Sequence, residues 1–571
     1  MPVLNKRWHV LPRLTPEVER ALHDYPPVIR QILFNRGYTT LEEARHYLEA
    51  RPPENIDPFC MLGLPEAVER LNQAIQLGQP IAIYGDYDVD GVTATALLVQ
   101  VLQKLGALVQ EHIPNRFEEG YGLNNEALDC LHTNGVKVVV TVDCGVRSPK
   151  EAAHARQIGL DMIITDHHQP SEELPEAFAI INPKQVGDPY PEKNLAGVGL
   201  AYKLADALVT YLRNQGQFVP DDLDVAETLD LVALGTVADL VPLVGENRTL
   251  VKAGLERIRK PKRLGLRALI GVGQINPAKI NAWDIGYVLG PRLNAAGRLD
   301  SASDAFHLLT TNNLAEAGLL AQKLDVQNRE RQRMTREIQA LAEQLALKED
   351  PNPQLLFAVH PDFNPGVIGL AASRLVEQYY RPAIVACQGD VYTRGSCRSI
   401  SEFHITEALD KCADLLEHHG GHAAAAGFTI KNENVPELHQ RLKGIVSEQL
   451  VDMDLRPSLV ADLEITLTTL QPQLLEYLDW LQPTGYGNNP ALFLSRDLEV
   501  VDYRVVGKDG SHLKLRVTDG WEKHDAIAFR QGQWSIHMPA MVDLMYTFES
   551  NEYNGRTTMQ LNVRDLKPSG T

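Results

Sequence analysis

Ile81-Ala82-Ile83-Tyr84-Gly85-Asp86-Tyr87-Asp88-Val89-Asp90-Gly91-Val92-Thr93 is the stretch on which the reading of this chain turns. A short apolar run predicts a buried strand, and it closes on three aspartates at alternate positions followed by a glycine. From Ala94 to Leu105 the pattern returns to helical spacing, with Leu97, Leu98, Val101 and Leu105 on one face. The three carboxylates therefore stand where a strand turns into a helix, at the carboxyl edge of a sheet. Open α/β sheets place their ligands at that edge. Three like charges in five residues repel one another unless water or a cation screens them. A solvated acidic turn is the plainest alternative, but the apolar flanks argue against exposure and favour a hard-cation site. An EF-hand loop, which also opens D-x-D-x-D-G, needs a Glu at its twelfth position. Counted from Asp86, that position is Leu97, and a strand rather than a helix comes before it.

Three further apolar runs end in the same way. Val138-Val139-Val140-Thr141-Val142 leads into Asp143-Cys144-Gly145, and Ile163-Ile164-Thr165 leads into Asp166-His167-His168. Leu231-Val232-Ala233-Leu234-Gly235-Thr236-Val237-Ala238 ends in Asp239. A single strand-terminal Asp is often only a helix N-cap. Four runs closing on Asp or His are a stronger signal, because parallel neighbours would bring all these groups to one edge. Mixed carboxylate and imidazole ligands suit Mn²⁺, or Mg²⁺ with water completing its shell. One shared Asp with flanking ligands can hold two ions about 3.5–4 Å apart, the arrangement for in-line displacement at phosphorus. His168 either orients His167 or acts in the chemistry itself. No G-x-x-x-x-G-K-[ST] is present, so no P-loop motor is indicated. Gly197-Val198-Gly199 lacks the rest of a dinucleotide fingerprint and carries no weight.

At 571 residues the chain has room for about three to four domains. No apolar run approaches the ~20 residues of a membrane span, and Met1 to Trp8 has no signal-peptide core. Six single cysteines form no C-x-x-C pair, which argues against disulfides or a zinc ribbon and for a cytoplasmic protein. The net charge of −19 is unlike a protein that merely coats DNA, yet a carboxylate cluster inflates it and bound divalent ions offset it locally.

In order along the chain, residues 1–75 are expected as helical pieces broken at Pro26-Pro27 and Pro52-Pro53. Residues 76–312 follow as a parallel-sheet α/β domain, helical from about 225, with a compact loop around Gly290 to Asn294. Between Asn313 and Lys348 there is no proline and only Gly318, so 313–350 reads as one long connecting helix with a polar waist. A second α/β domain (351–453) and a β-rich barrel domain (454–571) complete the chain. The barrel has fewer Lys and Arg than Asp and Glu, which argues against strong independent DNA binding.

Gly85–Thr93, Val142–Gly145, Asp166-His167-His168, Gly235–Leu243 and Gly290–Asp300 resemble successive motifs of the DHH phosphoesterases. Gly395–Ser399 and Gly420–Phe428 resemble the associated DHHA1 domain. The motif order, length and β-rich tail are most similar to the bacterial branch of that family that degrades single-stranded DNA from the 5′ end. The resemblance implies two α/β domains (DHH and DHHA1) joined by a long helix, plus a C-terminal OB-like β-barrel. It implies two Mn²⁺ or Mg²⁺ ions held by Asp88, Asp90, Asp143, His167 and Asp239, with Asp143 bridging. Asp86 would lie beside them, and His168 would touch the scissile phosphate. Arg116, Arg298, Ser396 and Arg398 would hold substrate phosphates, and His422 would line the catalytic face of the second domain. A strand would thread between the two α/β domains, release 5′-mononucleotides and serve DNA repair and recombination. A single-stranded-DNA-binding protein and a helicase are the implied partners, with no membrane. Two departures stand out: Cys397 where the family often has Gly or Ala, and Pro483–Pro490, which differs from the usual Pro-Phe-Gly-x-Gly-Asn-Pro. The alternatives are a DHH phosphodiesterase of cyclic dinucleotides or short oligonucleotides, which needs no barrel, and a non-catalytic replication scaffold, which would have lost metal-binding carboxylates.

Overall fold

The computed structural model describes residues 5–54, 56–116, 119–120, 122–348, 350–507, 510–553 and 556–570. Its first element is a strand where only helices are expected: β1 (Arg7–Val10) pairs in parallel with Ser458–Ala461, far along the chain. Helices over Pro16–Ala21, Pro27–Asn35 and Leu41–Glu49 follow. The chain then divides into two compact units. One comprises Met1–Ala44, Glu330–Trp480 and Ala491–Thr571, and the other Arg45–Arg329 and Leu481–Pro490.

The second unit is built on a five-stranded, wholly parallel sheet. Its strands are β2 (Ile81–Gly85), β3 (Val109–His112), β4 (Val138–Val142), β5 (Asp161–Thr165) and β6 (Ala179–Ile181), in the order β3-β2-β4-β5-β6. Every residue of β2 and β4 is buried, as a sheet covered on both faces requires. Ile81, Ile83, Val138, Val140 and Ile163 join one apolar cluster, whereas Ala82, Tyr84, Val139, Met162 and Ile164 join another. Alternate side chains thus feed two helical layers. The chain runs outward from β2 to β3 and then returns to β4 on the other side. The order therefore reverses between β2 and β4, the crevice where doubly wound sheets bind ligands. Gly85, Val142, Thr165 and Ile181 share one register level. Asp86, Asp143 and Asp166 consequently leave the sheet side by side, with the Asp143 and Asp166 N–H groups donating to Thr165 and Ile181 carbonyls at 3.0 and 3.1 Å.

Two expectations need correction. The segment from Gly290 is not a loop but a helix (Gly290–Leu299), entered through a π-turn over Ile285–Leu289. Pro291 sits in its first turn, where its missing N–H costs nothing. The run ending in Asp239 is also a helix, Leu229–Ala238. The long helix is unbroken over Leu314–Ala346 and crosses from one unit into the other.

In the first unit, β7 (Leu356–His360), β8 (Ala383–Gln388), β9 (Tyr392–Arg398), β10 (Leu416–His422) and β11 (Ala425–Lys431) form a mixed sheet in the order β10-β11-β9-β8-β7. Gly395–Arg398, most of the first DHHA1-like motif, is the end of β9. Beyond β12 (Ser458–Ala461), the short β13 (Leu463–Glu464) pairs with β14 (Phe493–Val506). β14, β15 (His512–Thr518), β16 (Lys523–Ala528), β18 (Arg556–Pro568) and β17 (Met541–Tyr553) close into a five-stranded barrel. Closure uses a β14–β17 pairing, made possible by register shifts in β14 that turn one long strand around a corner.

The departing segment Pro483–Pro490 belongs to the second unit, not the barrel. There the buried Arg248 guanidinium donates to the carbonyls of Leu481, Gln482 and Pro483 at 2.9, 2.8 and 3.0 Å. Asn488 accepts from the Tyr47 hydroxyl at 2.8 Å. Among the described residues, no helix is long and apolar enough to cross a membrane.

Candidate metal centre

The turn after β2 is held tightly. Asp88 caps the helix Val89–Lys104, its Oδ1 accepting the N–H groups of Asp90 and Gly91 at 2.9 and 3.1 Å. A side chain at Gly91 would place its Cβ 2.5 Å from the Asp86 backbone, so the glycine after the third aspartate is a requirement of close approach. Asp90 is almost fully buried. Its carboxylate accepts the N–H groups of Gly197 and Val198 at 2.6 and 2.8 Å. These donors open the helix Gly197–Asn214, whose first N–H groups have no partner within the helix and carry its positive end. The Gly197 stretch, given no weight from sequence, thus holds one of the central carboxylates.

Asp143 follows β4 with φ 62°, a left-handed conformation that Asp tolerates better than most residues. Its Oδ1 lies 3.0 Å from His167 Nε2, without hydrogen-bond alignment. His167 Nε2 also lies 3.5 Å from Asp239 Oδ2 and 3.9 Å from Asp90 Oδ2. The first residue of Asp166-His167-His168 faces elsewhere. Asp166 Oδ1 pairs with His168 Nδ1 at 2.7 Å, and its Oδ2 accepts the Val146 N–H at 2.9 Å. Asp166 is therefore a positioning residue for His168. Lys184, which the sequence did not single out, donates from Nζ to the His167 carbonyl at 2.5 Å, and Asn182 holds the His168 carbonyl at 2.8 Å.

Two triads of ligand atoms result: Asp86, Asp88 and Asp143 in one, Asp90, His167 and Asp239 in the other, each within 4.8 Å mutually. The 3.0 Å approach of Asp143 and His167 joins them. Asp143 also groups with His167 and His168. Adjacent ligands about 2.1 Å from a small divalent ion stand roughly 3 Å apart, so this spacing fits two cations sharing a wall.

The electrostatics fit as well. Asp86 Oδ1, Asp143 Oδ1 and both His167 ring nitrogens are buried without a hydrogen-bond partner, which is costly unless something binds them. Burial, then repulsion among Asp90, Asp88, Asp239 and Asp86, drives the Asp143 carboxyl well above its ordinary range. The same causes push Asp90 up to about 7 and Asp239 up to about 9. Asp239 also sits at the C-terminal end of its helix, where the dipole further disfavours an anion. Burial, then the His168 charge, lowers His167 to about 3, leaving a neutral imidazole suited to a metal. Burial works against charge on His168, but its Asp166 bond and the charges of Asp166, Asp88 and Asp86 hold its pKa above the ordinary value.

Around this centre, the Arg116 guanidinium stands 5.1 Å from the Tyr87 ring centroid, and its charge also reaches Asp86. Phe117, beside Arg116, lies outside the described residues. Asn294 accepts the Val89 N–H at 3.2 Å, and the Arg298 charge is felt by the Tyr87 hydroxyl. Ser396, Arg398 and His422 belong to the other unit. Arg398 Nη1 donates to Ser396 Oγ at 3.2 Å, and the start of the helix Ile368–Tyr379 lies against both at Gly369. Arg398 and His422 both pair with Ala425, so they share one sheet face roughly 10 Å apart. Cys397 points the other way into an apolar cluster, where burial pushes its thiol up to about 12. It is an inert packing residue.

Comparison with known proteins agrees with this architecture along nearly the whole chain. Family models match for the DHH family N-terminal domain at residues 80–236, the DHHA1 domain at 352–448 and the RecJ OB domain at 461–565. The single-stranded-DNA-specific exonuclease RecJ of Bacillus subtilis is 39% identical over 95% of this chain and 68% of its own length. Its Escherichia coli counterpart is 38% identical over 95% of this chain and 96% of its own length. The crystal structure of Thermus thermophilus RecJ in complex with Mn²⁺ superposes with a TM-score of 0.84 at 31% identity, covering 99% of this chain and 80% of that one. Identity sustained at this level, with the three domains in the same order, places this chain in the RecJ family.

Proposed function

We propose that this chain is a metal-dependent exonuclease that degrades single-stranded DNA from the 5′ end, releasing 5′-mononucleotides in repair and recombination. The observation that carries the reading is the pair of largely buried triads joined at Asp143 and His167, with buried ligand atoms that have no hydrogen-bond partner. Mn²⁺ or Mg²⁺ at the two positions supplies Lewis acidity and an activated water at neutral pH. Asp86, Asp88 and Asp143 would hold one ion and Asp90, His167 and Asp239 the other, with Asp143, 3.0 Å from His167, placed to be the shared ligand. Helix-start donors at Gly197 and Val198 keep Asp90 oriented. Asp166 fixes the His168 ring through Nδ1, so that its remaining nitrogen donates to the phosphate undergoing cleavage. Arg116 and Arg298 supply charge for adjoining phosphates, and Ser396, Arg398 and His422 bind the strand's terminal part.

In domain terms, 76–312 together with Pro483–Pro490 is the catalytic domain, 351–453 binds substrate, the remainder of 454–571 carries an auxiliary barrel, 313–350 is a connecting helix and 1–75 is a lead-in that is helical apart from β1. An enzyme that needs unpaired DNA works where strands are opened, so a helicase and a single-stranded-DNA-binding protein in the cytoplasm are its expected partners. The test is incubation of end-labelled single strands, blunt duplexes and dinucleotides with Mn²⁺. Mononucleotides released in order from the 5′ end of single strands, with blunt duplex much slower, are expected. Equal rates on duplex and single strand, or a preference for the dinucleotide, would overturn the reading.

A further inference from the structure

Two large aromatic side chains in the catalytic unit stand in solvent, stacked on each other. Trp283 is 60% and Tyr287 69% exposed, and their rings lie 5.1 Å apart at 24°. They are carried by the short helix Ala282–Asp284 and the π-turn Ile285–Leu289, which lead directly into the helix Gly290–Leu299. π-Turns inside helices are frequent at functional sites. This one is anchored: a Cβ at Gly286 would touch Val237, and one at Gly290 would touch Ala238, the two residues before Asp239.

Helical phase connects the pair to the metal centre. Within the α-helix, residues 291, 294 and 298 recur at intervals of three and four, which places them on one stripe, and Tyr287 stands in the π-turn that leads into it. Tyr287 is exposed, and Pro291, Asn294 and Arg298 are each part-exposed, so the stripe is open along its length. At its far end Asn294 accepts the Val89 N–H beside Asp88 and Asp90, and Gly297 lies against the Tyr87 carbonyl. From Arg298 back to Tyr287 is about 16 Å at 1.5 Å per residue, a span that a single strand covers with roughly three to five nucleotides. A surface with a cation near the reacting phosphates and a flat, exposed ring pair some nucleotides away matches a strand's alternation of phosphate and base. Aromatic faces bind every base, and they tolerate any sequence.

We infer that Trp283 and Tyr287 form a base-stacking platform for single-stranded DNA, holding the substrate some three to five nucleotides from the site of cleavage. The inference rests on the single-strand reading above. Chelated, metal-free enzyme is titrated with a twelve-nucleotide oligothymidylate while tryptophan fluorescence is followed, and KM is then measured with Mn²⁺ on strands of three to twelve nucleotides. The wild type should show quenching. Trp283→Ala and Tyr287→Ala should each weaken binding about tenfold, the size expected for one lost stack, and their KM defect should grow with strand length. Trp283→Phe and Tyr287→Phe keep a ring and should retain most of the affinity, while Trp283→Phe loses much of the quenching. Alanine variants that bind and turn over every length like wild type would overturn the platform, as would phenylalanine variants as impaired as the alanine ones. A wild type that neither binds nor degrades single strands would instead sink the parent reading.

Discussion

At Asp143 three unfavourable circumstances coincide: a left-handed backbone, nearly complete burial and four neighbouring carboxylates. None is tolerable for an anion alone, and all become tolerable beside divalent cations. Asp143→Ala should therefore leave a folded protein whose exonuclease rate at saturating Mn²⁺ falls by several orders of magnitude, because the nucleophile depends on the shared ligand. Activity within tenfold of wild type would remove the two-ion assignment. The same repulsion predicts how stability responds to pH when metal is withheld. Asp90 and Asp239 are pushed up to about 7 and about 9, so the folded state keeps protons that the unfolded chain has released above about pH 4. Protons bound preferentially by the folded state mean that stability falls as pH rises, through a window ending near 7 for Asp90 and near 9 for Asp239. His167, held at about 3 in the fold, opposes this trend only until the unfolded imidazole has lost its proton, about one unit above its ordinary value near 6.5. In chelator, the melting temperature should therefore drop between about pH 6.5 and 8.5, and less steeply in Asp239→Asn. Because ligands lose protons on binding metal, the rise in melting temperature on adding Mn²⁺ should be larger at the upper pH. A chelated protein equally stable at both values would contradict the buried, mutually repelling cluster.

A helix start performs a task that no side chain in the region performs: Gly197 and Val198 present their N–H groups to Asp90. A Cβ at Gly197 would lie 2.7 Å from the Asp143 Cβ, so Gly197→Ala must displace either the helix or the shared ligand. The expected outcome is a folded enzyme with weakened Mn²⁺ affinity, measured by calorimetry, and a rate reduced about 100-fold, the scale of a misplacement near 1 Å. Unchanged affinity and rate would show that the close approach relaxes freely. This helix start also marks where sequence reasoning stops. β2, β4 and β5 are legible because a buried parallel strand must be an unbroken apolar run, and their terminal Asp and His residues are visible as the run's end. Gly197 is not legible, since backbone N–H groups carry no residue signature and their acceptor lies 107 positions away. β1 escapes for a related reason: its partner strand begins at Ser458, and pairing over that separation leaves no local pattern. The helix at Gly290 was hidden because Gly-Pro punctuates turns more often than it opens helices. Arg248 binding the Leu481–Pro483 carbonyls is likewise a long-range contact, one that takes Pro483–Pro490 out of the barrel and into the catalytic unit.

For the molecule as a whole, the carboxylate centre lies in one unit and Ser396, Arg398 and His422 in the other, and direction of cutting is where that division matters. A centre that hydrolyses one phosphodiester has no means of telling a 5′ from a 3′ end, so polarity requires a group that recognises a terminus. Arg398 is the candidate. Its guanidinium is steadied by Ser396 Oγ at 3.2 Å and the Cys397 carbonyl at 2.7 Å, it shares a sheet face with His422, and the N-terminal turn of the helix Ile368–Tyr379 adjoins it at Gly369. Cation and helix start both favour phosphate. A terminal phosphate carries more charge than an internal diester, so the pair is expected to discriminate an end from the strand's interior. In a chain of net charge −19 such local cations are what oppose general repulsion of DNA, and binding should weaken with salt as counterions are released. The measurement compares strands with 5′-phosphate and 5′-hydroxyl ends. Wild type should favour the phosphate, and Arg398→Ala should lose most of that preference, by about 1.5–3 kcal/mol for a charge-assisted bond, with Mn²⁺ affinity at the other unit unchanged. Arg398→Lys should recover part of it, because a point charge replaces the fork without its bidentate geometry. If Arg398→Ala keeps the wild-type preference, internal phosphates are all that Arg398 holds, and the end is recognised by another group.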